Sequence, residues 1–207
     1  MTKRKGLILD FGGVLTTPLL PAVADFETRE RLERGSVIQR LYLNRDFVQM
    51  TEGLERGSLT QEQWNETAAI HLGVAADNLM GRIFSDLKPE PLMLQVADTA
   101  RRHGIRVGVL SNSVGTRPWD LYAGYDLNAR FDAVLISERH GLRKPEREIY
   151  ELMLKMLELP GSECVFVDDT EQYLAPAAEL GMATVLAEEP RKTIGALQAV
   201  LGIDLLP

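Results

Sequence analysis

A chain of 207 residues, 45% apolar and 26% charged, is long enough to bury a large core and has the make-up of an ordinary globular protein. Its net charge of −7 lacks the basic footprint that nucleic-acid backbones require, so nucleic acid is not expected as a partner; a small phosphorylated ligand stays open, because one lysine and a divalent cation can reverse the field locally. No apolar stretch approaches a membrane span, and the one cysteine, Cys164, excludes an internal disulfide and a thiolate metal cage.

The basic start, Lys3, Arg4 and Lys5, precedes an apolar run too brief for a signal peptide and broken by Asp10, so a cytoplasmic location is expected. That run, Gly6-Leu7-Ile8-Leu9-Asp10, closes on Phe11-Gly12-Gly13-Val14-Leu15-Thr16 and reads as a buried strand entering a tight loop. Asp10 then stands at the carboxyl end of the strand, the edge where open α/β sheets bind ligands. By itself it reads equally as a turn residue capping backbone amides.

From 18 to 90 the pattern is helical, with no convincing strand. The mixed charges of Arg29-Glu30-Arg31-Leu32-Glu33-Arg34 suit a solvated helix face. Ile38, Leu41, Tyr42 and Arg45 fall on one side of a helix. Leu54-Glu55-Arg56-Gly57 ends a segment, and Thr60 with Gln63 predicts a capping box that would turn Trp64, Ala68 and Leu72 toward a local core.

Beyond Pro91 the texture alternates. A helix from Leu92 to His103 stops at Gly104, and the strand Val107-Gly108-Val109-Leu110 follows. The strand Ala133-Val134-Leu135-Ile136 precedes a helix that Pro145 is expected to open, with Ile149, Leu152, Met153, Met156 and Leu157 at helical spacing. Then come the strand Val165-Phe166-Val167, a helix from Leu174 to Leu180 stopped by Gly181, the strand Thr184-Val185-Leu186, and a final helix from Thr193. Cys164 adjoins an apolar run and reads as a buried, inert thiol. Strands alternating with helices imply a doubly wound parallel sheet covered on both faces, formed by 1–17 and 91–207. Residues 18–90 would be an all-helical cap inserted after the first strand.

Four polar sites gather at one edge of that sheet: Asp10; Ser111 and Asn112; Lys144; and Asp168 with Asp169. Each has an ordinary reading as a loop former, a solvated charge or a helix cap. Together they share one chemistry. Three crowded carboxylates call for a cation, and oxygen ligands beside a phosphate suit Mg²⁺. A serine hydroxyl and a lysine can hold phosphoryl oxygens, and Asp10 is the natural nucleophile.

The stretches Leu7-Ile8-Leu9-Asp10-Phe11-Gly12-Gly13-Val14, Val109-Leu110-Ser111-Asn112, Lys144-Pro145 and Phe166-Val167-Asp168-Asp169 resemble, in order and spacing, the four motifs of the haloacid dehalogenase-like (HAD) hydrolases. The resemblance implies a Rossmann-like core with a small helical cap closing over the substrate. It implies Asp10 as nucleophile, Ser111 and Lys144 as holders of the transferred group, and Asn112 as a substrate or loop contact. It further implies Mg²⁺ held by Asp10, the Gly12 carbonyl and Asp169, with Asp168 in the same site or just behind it.

Two positions depart from the family's pattern. Its phosphatases carry a second Asp two residues after the nucleophile, as acid and then base; here Gly12 keeps only the carbonyl. Its dehalogenases carry Tyr there, so Gly12 argues against that activity as well. Tyr173 stands where a polar Asn or Asp usually follows the acidic pair. Three functions therefore compete: a Mg²⁺-dependent phosphatase of a small phosphorylated metabolite, which is preferred; a weak or inactive member binding a phospho-ligand or a protein; and a metal-independent hydrolase of carbon–halogen type. Arg40, Arg45 and Arg56 are possible specificity residues from the cap, although each reads more simply as a surface charge.

Overall fold

The computed structural model describes residues 4–206, apart from the side chains of Leu41 and Tyr42. The first strand, β1 (Gly6–Leu9), is buried on both faces, which is why its sequence is continuously apolar. It pairs in parallel with β2 (Arg106–Ser111) and β4 (Cys164–Asp168), setting Leu9 opposite both Val109 and Val167. With β3 (Ala133–Ile136), which follows the short helix α6 (Leu127–Arg130), and β5 (Ala183–Leu186) outermost, the all-parallel order is β3-β2-β1-β4-β5. The chain winds from β1 through β2 to β3, then crosses back to β4. The carboxyl end of β1 is thus the point where the winding direction switches, and a crevice opens there.

The alternation of strand side chains divides the core into two layers. Leu7, Leu9, Val107, Val165 and Val167 pack against α5 (Pro91–Arg102) and α9 (Pro190–Leu201). On the other face Ile8, Leu110, Leu135 and Phe166 pack against α7 (Arg147–Leu157) and α8 (Leu174–Glu179). In α7 the expected apolar residues divide: Ile149, Met153 and Leu157 are buried, whereas Met156 lies on the exposed side.

Between β1 and α5 the described residues contain no strand, only one isolated bridge between Thr16 and Pro89. Helices α1 (Leu19–Arg29), α2 (Arg45–Glu55), α3 (Gln61–Leu72) and α4 (Leu79–Ile83) enclose an apolar cluster of their own around Phe26, Phe47, Trp64 and Leu72. The capping box at Thr60 and Gln63 forms, and it sets Trp64, Ala68 and Leu72 inward. Trp119, from the loop after β2, stacks on Phe84 at 6.1 Å and joins this cluster to the sheet.

Four boundaries differ from the sequence reading. The charged run 29–34 leaves the helix at Arg29, because the buried Glu27 carboxylate accepts the backbone amides of Gly35 and Val37 and draws the chain back. Residues 38–42 form a single π turn, and Arg45 begins α2 instead of sharing a face with Ile38; the side chains of Leu41 and Tyr42, like Lys3, lie outside the described residues. Pro145 does not open α7. The Glu146 amide bonds to the Arg143 carbonyl, closing a turn over Arg143–Glu146, so the helix starts at Arg147. The last helix begins at Pro190, three residues before Thr193, because the Glu189 side chain caps the Lys192 amide.

Candidate active site

Asp10 leaves β1 with its amide bonded to the Val167 carbonyl, so the sheet fixes its backbone. One side-chain oxygen, Oδ1, accepts the Phe11 amide at 2.7 Å and the Lys144 ammonium at 2.7 Å. Its Oδ2 meets no protein donor among the described residues. Burial first, and the Asp168 charge second, push Asp10 up to about 7, against the opposing pull of Lys144.

Lys144 is 1% exposed, and its ammonium also donates to Asp168 Oδ2 at 2.6 Å. Burial works against its charge, but Asp10 and Asp168 outweigh burial and hold it well above the usual lysine value. The Tyr173 ring lies 5.1 Å from the ammonium and the Phe166 ring 5.8 Å, so two aromatic rings border the cation. Tyr173 therefore faces the lysine at the position where the family pattern has an amide or acid.

The other site residues divide by role. Asn112 Oδ1 accepts the Lys144 amide at 2.8 Å, and its Nδ2 donates to the Lys144 carbonyl at 3.1 Å. Both ends of that side chain are engaged in setting the lysine's backbone. The Ser111 hydroxyl lies 3.0 Å from the Tyr122 hydroxyl, which burial keeps protonated by raising it well above the usual tyrosine value. Asp168 has both oxygens occupied, one by Lys144 and the other by the Thr170 amide. Asp169 is more open; burial and Asp168 raise its pKa.

Oxygens of Asp10, Asp168 and Asp169 lie within 4.8 Å of one another. One ammonium against three carboxylates leaves excess negative charge in a largely buried cluster, so the donor set fits a hard divalent cation. Asp10 and Asp169, with the Gly12 backbone beside the same cavity, could hold such an ion; Asp168, expected in the same set, has both oxygens already bonded, one of them to Lys144.

The two loop glycines differ physically. Gly13 has φ +71°, and a Cβ there would collide with the Asp169 carboxylate, so only glycine fits. At Gly12 a Cβ would meet only the Leu19 side chain, at 3.5 Å or more, in ordinary contact.

A cavity of about 190 Å³ opens beside Asp10, Ser111, Asn112, Lys144 and Asp169, roofed by Leu19, Thr51, Glu55, Phe84 and Leu87 from the helical insertion. Burial raises the Glu55 pKa, although Arg143 binds it directly and opposes that rise. Arg40, Arg45 and Arg56 do not line the cavity: Arg40 bonds to the carbonyls of His71 and Leu72, Arg45 is exposed, and Arg56 pairs with Glu146. Sequence reasoning missed Tyr122, Tyr173 as a partner of Lys144, and the Arg143–Glu55 pair. None carries a local signal, because each partner comes from a distant segment.

A family model for haloacid dehalogenase-like hydrolases matches residues 4–181. Bifunctional epoxide hydrolase 2 of Sus scrofa is 27% identical over 98% of this chain, which spans 40% of that protein. The chain likewise spans less than half the length of several further curated relatives that match over nearly all of it. Sesquiterpene phosphatase astK of Aspergillus oryzae is 23% identical, with 97% of this chain and 98% of that one covered. A HAD family enzyme of Bacteroides thetaiotaomicron, solved as the wild-type protein with magnesium and inorganic phosphate, superposes with a TM-score of 0.64 at 20% identity over 89% of this chain and 94% of that one. The parallel sheet, the ordered motifs and the family match agree, and the chain belongs to the haloacid dehalogenase-like hydrolases.

Proposed function

We propose that the protein is a Mg²⁺-dependent phosphatase of a small phosphorylated metabolite, working through an aspartyl-phosphate on Asp10. The observation that carries this reading is the buried Asp10–Lys144–Asp168 ion network beside Ser111 at the switch point of the sheet. A network that buries a lysine between two carboxylates is costly to build unless it serves charge that arrives with a ligand. Phosphatases among the relatives, and the neighbour solved with magnesium and phosphate, support the same reaction class.

A divalent cation held by Asp10, Asp169 and the Gly12 carbonyl would supply charge neutralisation at the phosphoryl oxygens. Asp10 Oδ2 attacks phosphorus, the bond from phosphorus to the leaving oxygen breaks, and that oxygen takes its proton from solvent water. Lys144 and the Ser111 hydroxyl hold the phosphoryl oxygens as charge shifts. Asn112 and Asp168 keep Lys144 in place. Water then attacks phosphorus, releasing phosphate and restoring the Asp10 carboxylate. The helical insertion, 18–90, serves as the cap over this site. Gly12 supplies no proton to the leaving alcohol and no base to the water, so both steps are slow with unactivated substrates.

The same Gly12 favours a second reading, a weak or inactive member that binds a phospho-ligand. Turnover of a phosphomonoester panel with Mg²⁺ and with EDTA decides between them. The phosphatase reading expects EDTA-sensitive hydrolysis that Asp10→Asn lowers by about 10³-fold or more. Binding of phosphate without turnover of any member of the panel would favour the second.

A further inference from the structure

The cavity beside Asp10 has two chemically distinct halves. The polar lining is Asp10, Ser111, Asn112, Lys144 and Asp169, with Tyr173 beside the lysine; the apolar lining is Leu19, Phe84, Leu87, Val114 and Leu121. Lys144 is the only cation among the described lining residues, and Asp10 and Asp168 already hold it. The polar groups on the insertion side offer little to a substrate. The Thr51 hydroxyl accepts from Trp64 Nε1 and donates to the Phe47 carbonyl. Glu55 is bound to Arg143 and has no donor to offer a second anionic group.

Behind this wall lies a second void of about 30 Å³, lined by apolar side chains that include Val23, Ile83 and Trp64. Phe84, Thr51 and Val114 line both spaces. Phe84 is buried and stacked on Trp119, which fixes it as the partition. The main cavity, about 190 Å³, is smaller than the ~300–1,000 Å³ of sites for drug-sized ligands.

Resting on the phosphatase reading above, we propose that the leaving group is a small apolar alcohol without a second charge, and that Phe84 limits its length. The phosphoryl group sits among Asp10, Ser111 and Lys144 while the hydrocarbon part fills the apolar half. Sugar bisphosphates and phosphorylated acids are excluded, because their second anion finds no free cation in the lining. Removing the Phe84 ring joins the two spaces and admits a longer chain.

The test is titration calorimetry of n-alkylphosphonates, methyl to octyl, with Mg²⁺ present, for the wild type, Phe84→Ala and Phe84→Leu. Affinity is expected to rise about fourfold per methylene while the chain fills the cavity, and then to level off. Phe84→Ala, or Phe84→Leu should the first variant not fold, is expected to move the levelling point to longer chains. Affinity indifferent to chain length, tighter binding of phosphonoacetate than of propylphosphonate, or an unmoved levelling point would each overturn the proposal. Turnover of the matching alkyl phosphates separates it from the parent reading. A binding gradient without turnover keeps the apolar pocket and removes the phosphatase. Turnover without a gradient does the reverse, and no phosphonate binding at all removes both.

Discussion

Restoring the family's missing carboxylate, Gly12→Asp, tests how this site makes do without it. The backbone at Gly12 lies outside the left-handed region, and the new Cβ would rest 3.5–3.6 Å from the Leu19 methyls, so the loop needs no rearrangement. The stability cost should be no more than the ~1 kcal/mol of an average substitution. A positioned general acid contributes typically ~10²–10⁴ in rate, and most where the leaving group is poor. Turnover of ethyl phosphate should therefore rise by about 10²-fold or more, while para-nitrophenyl phosphate, whose leaving group needs little protonation, should gain less than about tenfold. Steady-state kcat with both substrates, alongside Gly12→Asn as an isostere with no proton to give, reads the difference. A well-folded Gly12→Asp protein that binds Mg²⁺ like the wild type and gains nothing on ethyl phosphate would mean that the acid–base work lies elsewhere and that the missing carboxylate is not what limits turnover.

Further outcomes follow from the same geometry. Gly13→Ala places a Cβ against the Asp169 carboxylate at positive φ, so it should lower Mg²⁺ affinity and turnover together, although alanine adds only one carbon. Lys144→Met leaves Asp10 and Asp168 facing each other unpaired; it should abolish turnover and destabilise the fold by about 3–5 kcal/mol in urea melts, least at low pH where the acids protonate. Burial pushes the Cys164 thiol up to about 11, so the native protein should resist alkylation at pH 8.5 (on the order of the free-thiol pKa) and react on unfolding. A thiol raised in this way contributes stability that is fully present below its unfolded pKa and lost as pH rises through about 11, so Cys164→Ala should soften the alkaline unfolding limb.

The doubly wound core was legible because its strands are short apolar runs closed by glycines and carboxylates, and because the order of polar strand ends can be read along the chain. That order also brought Asp10, Ser111, Asn112, Lys144, Asp168 and Asp169 to one edge. What the sequence could not disclose depends on distant partners. Glu27 captures the amides of Gly35 and Val37 and ends a charged run that looked helical. Asn112 presents the side chain of a substrate contact, yet both of its ends bond to the Lys144 backbone. Tyr173 looked like a defect in the acidic motif and instead borders the lysine. Gly12 and Gly13 are indistinguishable as letters, whereas only Gly13 has no room for a side chain.

In the proposed mechanism Asp10 accepts the phosphoryl group. With no carboxylate at Gly12 to activate water, breakdown of the intermediate should lag behind its formation when the leaving group is activated. Para-nitrophenyl phosphate should then give a burst of nitrophenol, and mass spectrometry of the acid-quenched protein should find one added phosphoryl group on the peptide carrying Asp10. Nitrophenol released at the same rate by Asp10→Asn, with an unmodified Asp10 peptide in the wild type, would contradict it.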